Sequence, residues 1–92
     1  MKRRVSFKVV GRVQGVAYRA NARDVAMQLG VNGWIRNLPD GAVDGEAEGE
    51  ASSVDAFLAW CAKGPPGARV DRLDVDDATL VKVMSRFEIR SR

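Results

Sequence analysis

Two polar side chains of this 92-residue sequence could meet at a phosphate-binding loop: Arg19 and Asn37. Arg19 closes the stretch Gly11-Arg12-Val13-Gln14-Gly15-Val16-Ala17-Tyr18-Arg19, which carries two glycines and precedes an amphipathic segment. Glycine opens backbone angles closed to other residues. The amide N–H groups of Gln14, Gly15, Val16, Ala17, Tyr18 and Arg19 can then converge as a nest for an anion. A helix starting there adds its positive end. The planar guanidinium of Arg19 can take two phosphate oxygens at once. The stretch is not a Walker A loop, because the lysine and hydroxyl of GxxxxGK[ST] are missing. Taken alone, Arg19 reads as a solvated arginine at a helix start, and Asn37 as a turn residue leading into Pro39-Asp40-Gly41. The case for chemistry depends on the two being brought together.

Composition removes several alternatives. There is no histidine, which excludes a Ser-His-Asp or Cys-His nucleophile and any His-ligated metal. The single cysteine, Cys61, forms no internal disulfide and lies on an apolar helix face, so it reads as core. With 46% hydrophobic and 29% charged residues, the chain reads as one ordinary globular domain over residues 1–92. No apolar run approaches the ~18 residues that span a bilayer. Met1-Lys2-Arg3-Arg4 is similar to a signal-peptide start, but Lys8, Gly11 and Arg12 interrupt any apolar region behind it, so the cytoplasm is the expected location. The net charge of +3 favours anionic ligands without implying nucleic acid.

Periodicity supplies the elements that must position Arg19 and Asn37. Val5, Phe7 and Val9 alternate as a strand. Ala22, Val25, Ala26 and Leu29 follow helical spacing, with Gly30 as the stop. Gly33 to Asn37 predicts a second strand and Pro39-Asp40-Gly41 a turn. A third strand is expected from Ala42 to Gly49, with Val43, Gly45 and Ala47 on one face and Asp44, Glu46 and Glu48 on the other. Ser52 is the expected cap of a second helix carrying Val54, Phe57, Leu58 and Cys61, which Gly64-Pro65-Pro66-Gly67 ends. Leu73 and Val75 mark a fourth strand. The stretch from Asp76 to Arg86 has no clear period, and Phe87 with Ile89 brackets a last strand.

This order predicts an α+β, ferredoxin-like βαββαβ sandwich, with two helices on one face of a mostly antiparallel sheet of four to five strands. In that arrangement the first two strands run the same way with the third between them. Their C-terminal ends share one sheet edge, which would make the loop at Gln14 to Arg19 a neighbour of Asn37.

These residues resemble a known family. Gly11 to Arg19 is similar to the first acylphosphatase signature, G-x-V-Q-G-V-x-[FY]-R. Gly33-Trp34-Ile35-Arg36-Asn37, followed by Asp40-Gly41 and Val43, is similar to the second. Phe87-Glu88-Ile89 resembles the closing strand, so the likeness covers nearly the whole chain. It implies hydrolysis of acyl phosphates, with Arg19 as the phosphate-binding arginine and Asn37 as the water-positioning asparagine. It also implies a small-molecule acyl phosphate as substrate, inorganic phosphate as product, and no cofactor, metal or covalent phosphoenzyme. A monomer without nucleic-acid or membrane partners is expected. Ala17, Tyr18 and Leu38 depart from residues common in the family, Leu38 replacing a hydroxyl side chain.

Other readings meet specific gaps. An RNA-recognition sheet would need its RNP1 aromatics flanked by Lys or Arg, which are absent. An accessory domain of a larger carbamoyl-transfer enzyme fits less well with this length and with Arg19 and Asn37 both present. A metal-carrier domain would need paired cysteines. Trp34 and Trp60 read as packing residues, with Trp34 also a candidate wall for an acyl group. Asp40 is the nearest possible base but reads as a turn residue. The Asp74-Asp76-Asp77 cluster reads as a solvated strand end.

Overall fold

The computed structural model describes residues 1–79 and 84–91. The elements follow the order β1 (Lys2–Arg12), α1 (Tyr18–Leu29), β2 (Asn32–Asn37), β3 (Val43–Glu50), α2 (Ala51–Lys63), β4 (Arg69–Asp77) and β5 (Phe87–Arg90). They form the expected ferredoxin-like α+β sandwich: one five-stranded sheet in the order β4-β1-β3-β2-β5, with both helices packed on it. Pairing is antiparallel except between β2 and β5, which run parallel. Of the unpatterned stretch Asp76 to Arg86, Asp76 and Asp77 complete β4, while 80–83 lie outside the described residues. No described helix is long and apolar enough to cross a membrane.

Strand alternation builds the core. Successive strand side chains point to opposite faces, so Val5, Phe7 and Val9 of β1 and Val43 and Ala47 of β3 are buried together. Val54, Phe57, Leu58 and Cys61 of α2 and Tyr18, Ala22 and Ala26 of α1 cover them. Phe57 joins the layers: its ring lies 5.7 Å from Phe7 in an edge arrangement and 5.4 Å from Phe87. Truncating such a fully buried aromatic costs about 3–5 kcal/mol.

One expectation about a polar residue needs correction. Ser52 does not cap α2. The helix follows β3 directly, Glu50 stands at the cap position without a side-chain bond, and Ala51 is already helical. β3 stays paired with β1 through Glu50, which leaves no residue for a separate cap, and the Met1 carbonyl accepts the Ala51 N–H at 2.8 Å. Glu48 lies on the polar face as expected yet is only 6% exposed. Its Oε2 accepts the Met84 N–H at 3.1 Å, and Arg4 lies 4.0 Å from its Oε1.

The sheet face away from the helices is densely charged and largely self-paired. Arg36 bonds Asp44 at 2.8 Å, Arg4 bonds Glu46 at 2.9 Å, and Arg86 bonds Glu88 at 3.2 Å. The edge strand β4 carries its own pairs, Arg69 with Asp71 and Arg72 with Asp74, each at 3.0 Å.

Candidate active site

Register brings the C-terminal parts of β1 and β2 to the same edge of the sheet, on either side of the start of β3. Val9 of β1 and Asn37 of β2 both pair with Val43 of β3, so one row crosses all three strands. Asn37 shares the alternation of Gly33 and Ile35, whose side of β2 is buried. Trp34 is on the opposite alternation. Its indole N–H donates to Glu46 at 2.9 Å, and the guanidiniums of Arg36 and Arg90 lie 5.1 and 4.9 Å from its ring. It therefore belongs to the open face and does not wall a site beside Asn37.

The loop between β1 and α1 is tied to that row by a side chain. The Gln14 amide nitrogen donates to the carbonyls of Leu38 and Ala42, both at 2.8 Å. These carbonyls flank the turn after β2, which closes on itself: Leu38 N–H donates to Ala42 O at 2.8 Å and Gly41 N–H to Leu38 O at 3.2 Å. Sequence reading assigned Gln14 to the loop by its backbone alone and missed this role for its side chain. The available signal was a lone side-chain amide between two glycines.

The loop backbone is sharply bent. Gly15 and Ala17 both take the left-handed conformation, at φ 77° and φ 58°. Among the described residues, no protein acceptor takes the N–H groups of Gly15, Val16 or Ala17. The α1 N-terminus also lacks a side-chain cap, so its first N–H groups stay unpaired. Ala17 O accepts the first intrahelical bond from Asn21 N–H at 3.1 Å, and the Asn21 side chain at 2.9 Å. Gly11 serves a different end. Its φ of 144° sits at a bulge where β1 meets β4, and a Cβ there would lie 2.1 Å from Arg69 O.

Arg19 stands in the first turn of α1, half-buried, and makes no ion pair or hydrogen bond with another described residue. Eight other arginines of the described chain do have carboxylate partners, which sets Arg19 and Arg12 apart. The Asn37 carboxamide oxygen is buried, and no described donor reaches it. Asp40 is occupied. Its Oδ1 accepts the Ala42 N–H at 3.0 Å and its Oδ2 meets Lys8 at 3.2 Å. The Ala42 bond, helped by Lys8, holds its carboxyl below the usual range, which makes it a weak base.

Behind the loop, the Tyr18 hydroxyl donates to the Cys61 carbonyl at 2.7 Å, and the Tyr18 ring packs 5.3 Å from Trp60. Burial pushes the Cys61 thiol up to about 12, so it is an inert core residue, as expected. No group of three or more His, Cys, Asp or Glu among the described residues forms a metal-binding cluster.

An arginine without a partner and a bent run of free amides lie on the loop that Gln14 ties to the turn after Asn37, whose carboxamide oxygen is buried, and the residue pattern that carries them matches a known family. A family model described as Acylphosphatase matches residues 5–89. The chain belongs to the acylphosphatase family. The acylphosphatase of Methylococcus capsulatus is 54% identical over 87 residues, 95% of each chain. The solved acylphosphatase from Coxiella burnetii matches with a TM-score of 0.91 at 34% identity, covering 97% of this chain and 93% of that one. The Bacillus subtilis acylphosphatase structure gives 0.92 at 30% identity, covering 98% and 99%. As an enzyme of the acylphosphatase family, the chain hydrolyses acyl phosphates, with a small-molecule substrate and phosphate as product.

Proposed function

We propose that hydrolysis proceeds by direct in-line attack of water on phosphorus, with no covalent phosphoenzyme. The amides from Gln14 to Arg19 and the Arg19 guanidinium hold the phosphoryl oxygens. The Asn37 carboxamide oxygen accepts a hydrogen bond from the attacking water. The new bond forms between the water oxygen and phosphorus, and the bond from phosphorus to the acyl oxygen breaks. The carboxylate leaves with the electron pair, and the water proton passes to a phosphate oxygen. Phosphoryl transfer depends mainly on position and charge stabilisation, so no strong protein base is required. This agrees with Asp40 being engaged in the turn.

The observation that carries the reading is the buried Asn37 Oδ1, which no described donor satisfies. A buried acceptor left unpaired costs about 1–3 kcal/mol, which a turn of the carboxamide toward a bound water would relieve. The unpaired Arg19 and the free amides of the loop support the phosphate half. The proposal extends to a single domain over residues 1–92, acting as a cytoplasmic monomer without metal, cofactor or nucleic acid.

Titrating inorganic phosphate into two variants tests the roles. Arg19→Ala is expected to lose most phosphate affinity, on the order of a charge-assisted pair in a dry site. Asn37→Ala is expected to bind phosphate nearly as before while kcat on benzoyl phosphate falls by about 10². Phosphate affinity lost in Asn37→Ala but kept in Arg19→Ala would reverse the assignment. Phosphate release that survives EDTA tests the metal-free part.

A further inference from the structure

The phosphate loop has two flanks. Gln14 ties one flank to the turn beside Asn37. The other meets the segment that joins α2 to β4: a Cβ at Gly67 would lie 3.9 Å from Val16, and one at Gly64 would lie 3.1 Å from Tyr18. Sheet order agrees, because β4 and β3 lie on opposite sides of β1. On that second flank is a cleft of about 490 Å³, lined by Trp60, Lys63, Pro65, Pro66 and Asn21 among others. Asn21 links it to the loop directly, since its side chain bonds the Ala17 carbonyl at 2.9 Å.

We infer that this cleft is the subsite for the acyl group of the substrate, and that it selects acyl phosphates with a bulky apolar acyl part. The inference rests on the in-line reading above. In-line displacement puts the leaving oxygen on the side of phosphorus opposite the water. With water held at Asn37, the acyl group leaves toward the flank formed by the α2–β4 segment. The apolar part of the wall is Trp60 with Pro65 and Pro66, Lys63 is the one charged lining residue, and no acidic group is present. Its size suits a ring-sized ligand.

The experiment compares kcat/KM for benzoyl and acetyl phosphate in wild type, Trp60→Phe, Trp60→Ala and Pro66→Gln, with inhibition by inorganic phosphate measured alongside. The benzoyl-to-acetyl ratio is expected to fall about tenfold in Trp60→Ala and less in Trp60→Phe, as for loss of apolar contact in a pocket. Trp60 also backs Tyr18, so the exposed Pro66→Gln is read in parallel, and its ratio is expected to fall about threefold with phosphate inhibition unchanged. Equal losses on both substrates, or an unchanged ratio in Pro66→Gln and Trp60→Ala, would overturn the subsite. A wild-type enzyme whose Asn37→Ala variant keeps full kcat overturns the in-line reading instead, and phosphate inhibition together with kcat tells the two failures apart.

Discussion

The Gln14 side chain spans 24 positions of sequence to donate to the Leu38 carbonyl at 2.8 Å. Leu38 directly follows Asn37, so this bond joins the loop that would grip phosphate to the residue that would hold water. The same nitrogen reaches Ala42 O, so a single amide secures both ends of the turn.

Replacing that amide should therefore affect rate as well as fold. In Gln14→Leu two part-buried carbonyls each lose one of two donors, keeping the backbone N–H of Gly41 or Leu38, and with two hydrogen bonds gone stability is expected to fall by about 1–3 kcal/mol. Misplacement of the loop relative to Asn37 is expected to lower kcat by about tenfold or more. Urea midpoints and benzoyl phosphate kinetics on the same preparation separate the two effects. A normal kcat would show that the clamp is dispensable.

Ala17 holds a left-handed backbone that disfavours side chains with a Cβ. Ala17→Gly relieves that penalty, while the unfolded chain gains freedom. A net gain of up to about 1 kcal/mol is expected, with activity retained. A clear loss of stability on chemical denaturation would mean that the Ala17 methyl makes a favourable contact here.

Acid should weaken the fold through Glu46. Burial alone would raise its pKa, but hydrogen bonds from Trp34 and Arg4 outweigh that and hold it below the usual value. A lowered folded pKa contributes stability that is present above the unfolded value of about 4.3 and is lost as pH falls through the folded value. Glu46→Gln should be less stable at pH 7 and show a shallower decline between about pH 5 and pH 3. Unfolding midpoints across that range, run against wild type, measure the difference.

Cys61 makes the opposite prediction at high pH. Its thiol is raised by burial, so the folded state keeps its proton where the unfolded state loses it. The contribution is full below about pH 8.5 and declines as pH rises toward about 12. Native protein at pH 8 should react with a thiol reagent only as fast as it opens. Rapid stoichiometric labelling without denaturant would contradict a buried thiol.

Much of this architecture was legible because apolar periodicity and sheet burial are the same fact seen twice. Val5, Phe7 and Val9 alternate in the sequence and are buried in the sheet, and Gly30 and Gly64 end the helices where expected. The meeting of the Gln14 loop with the turn after Asn37 follows from topology. What was hidden depended on particular side-chain contacts. β4 starts at Arg69, ahead of its recognisable Leu73 and Val75, because an edge strand rich in Arg and Asp carries little apolar signal. Glu48 is buried through a contact with Met84, thirty-six positions away. Ser52 has the chemistry of a cap, but continuous pairing of β3 with β1 through Glu50 carries the chain straight into the helix. Trp60 reads as packing and does pack on Tyr18 and the core, while its place near the loop depends on how the α2–β4 segment lies against Val16 and Tyr18.

The alternating Arg and Asp residues along β4 have a consequence for how molecules meet. A nine-residue edge offers a row of free main-chain donors and acceptors to any passing strand. Here an approaching copy would have to break the Arg69–Asp71 and Arg72–Asp74 pairs and set its own charges against them. The border of the sheet thus discourages fibril growth and runaway stacking at high protein concentration.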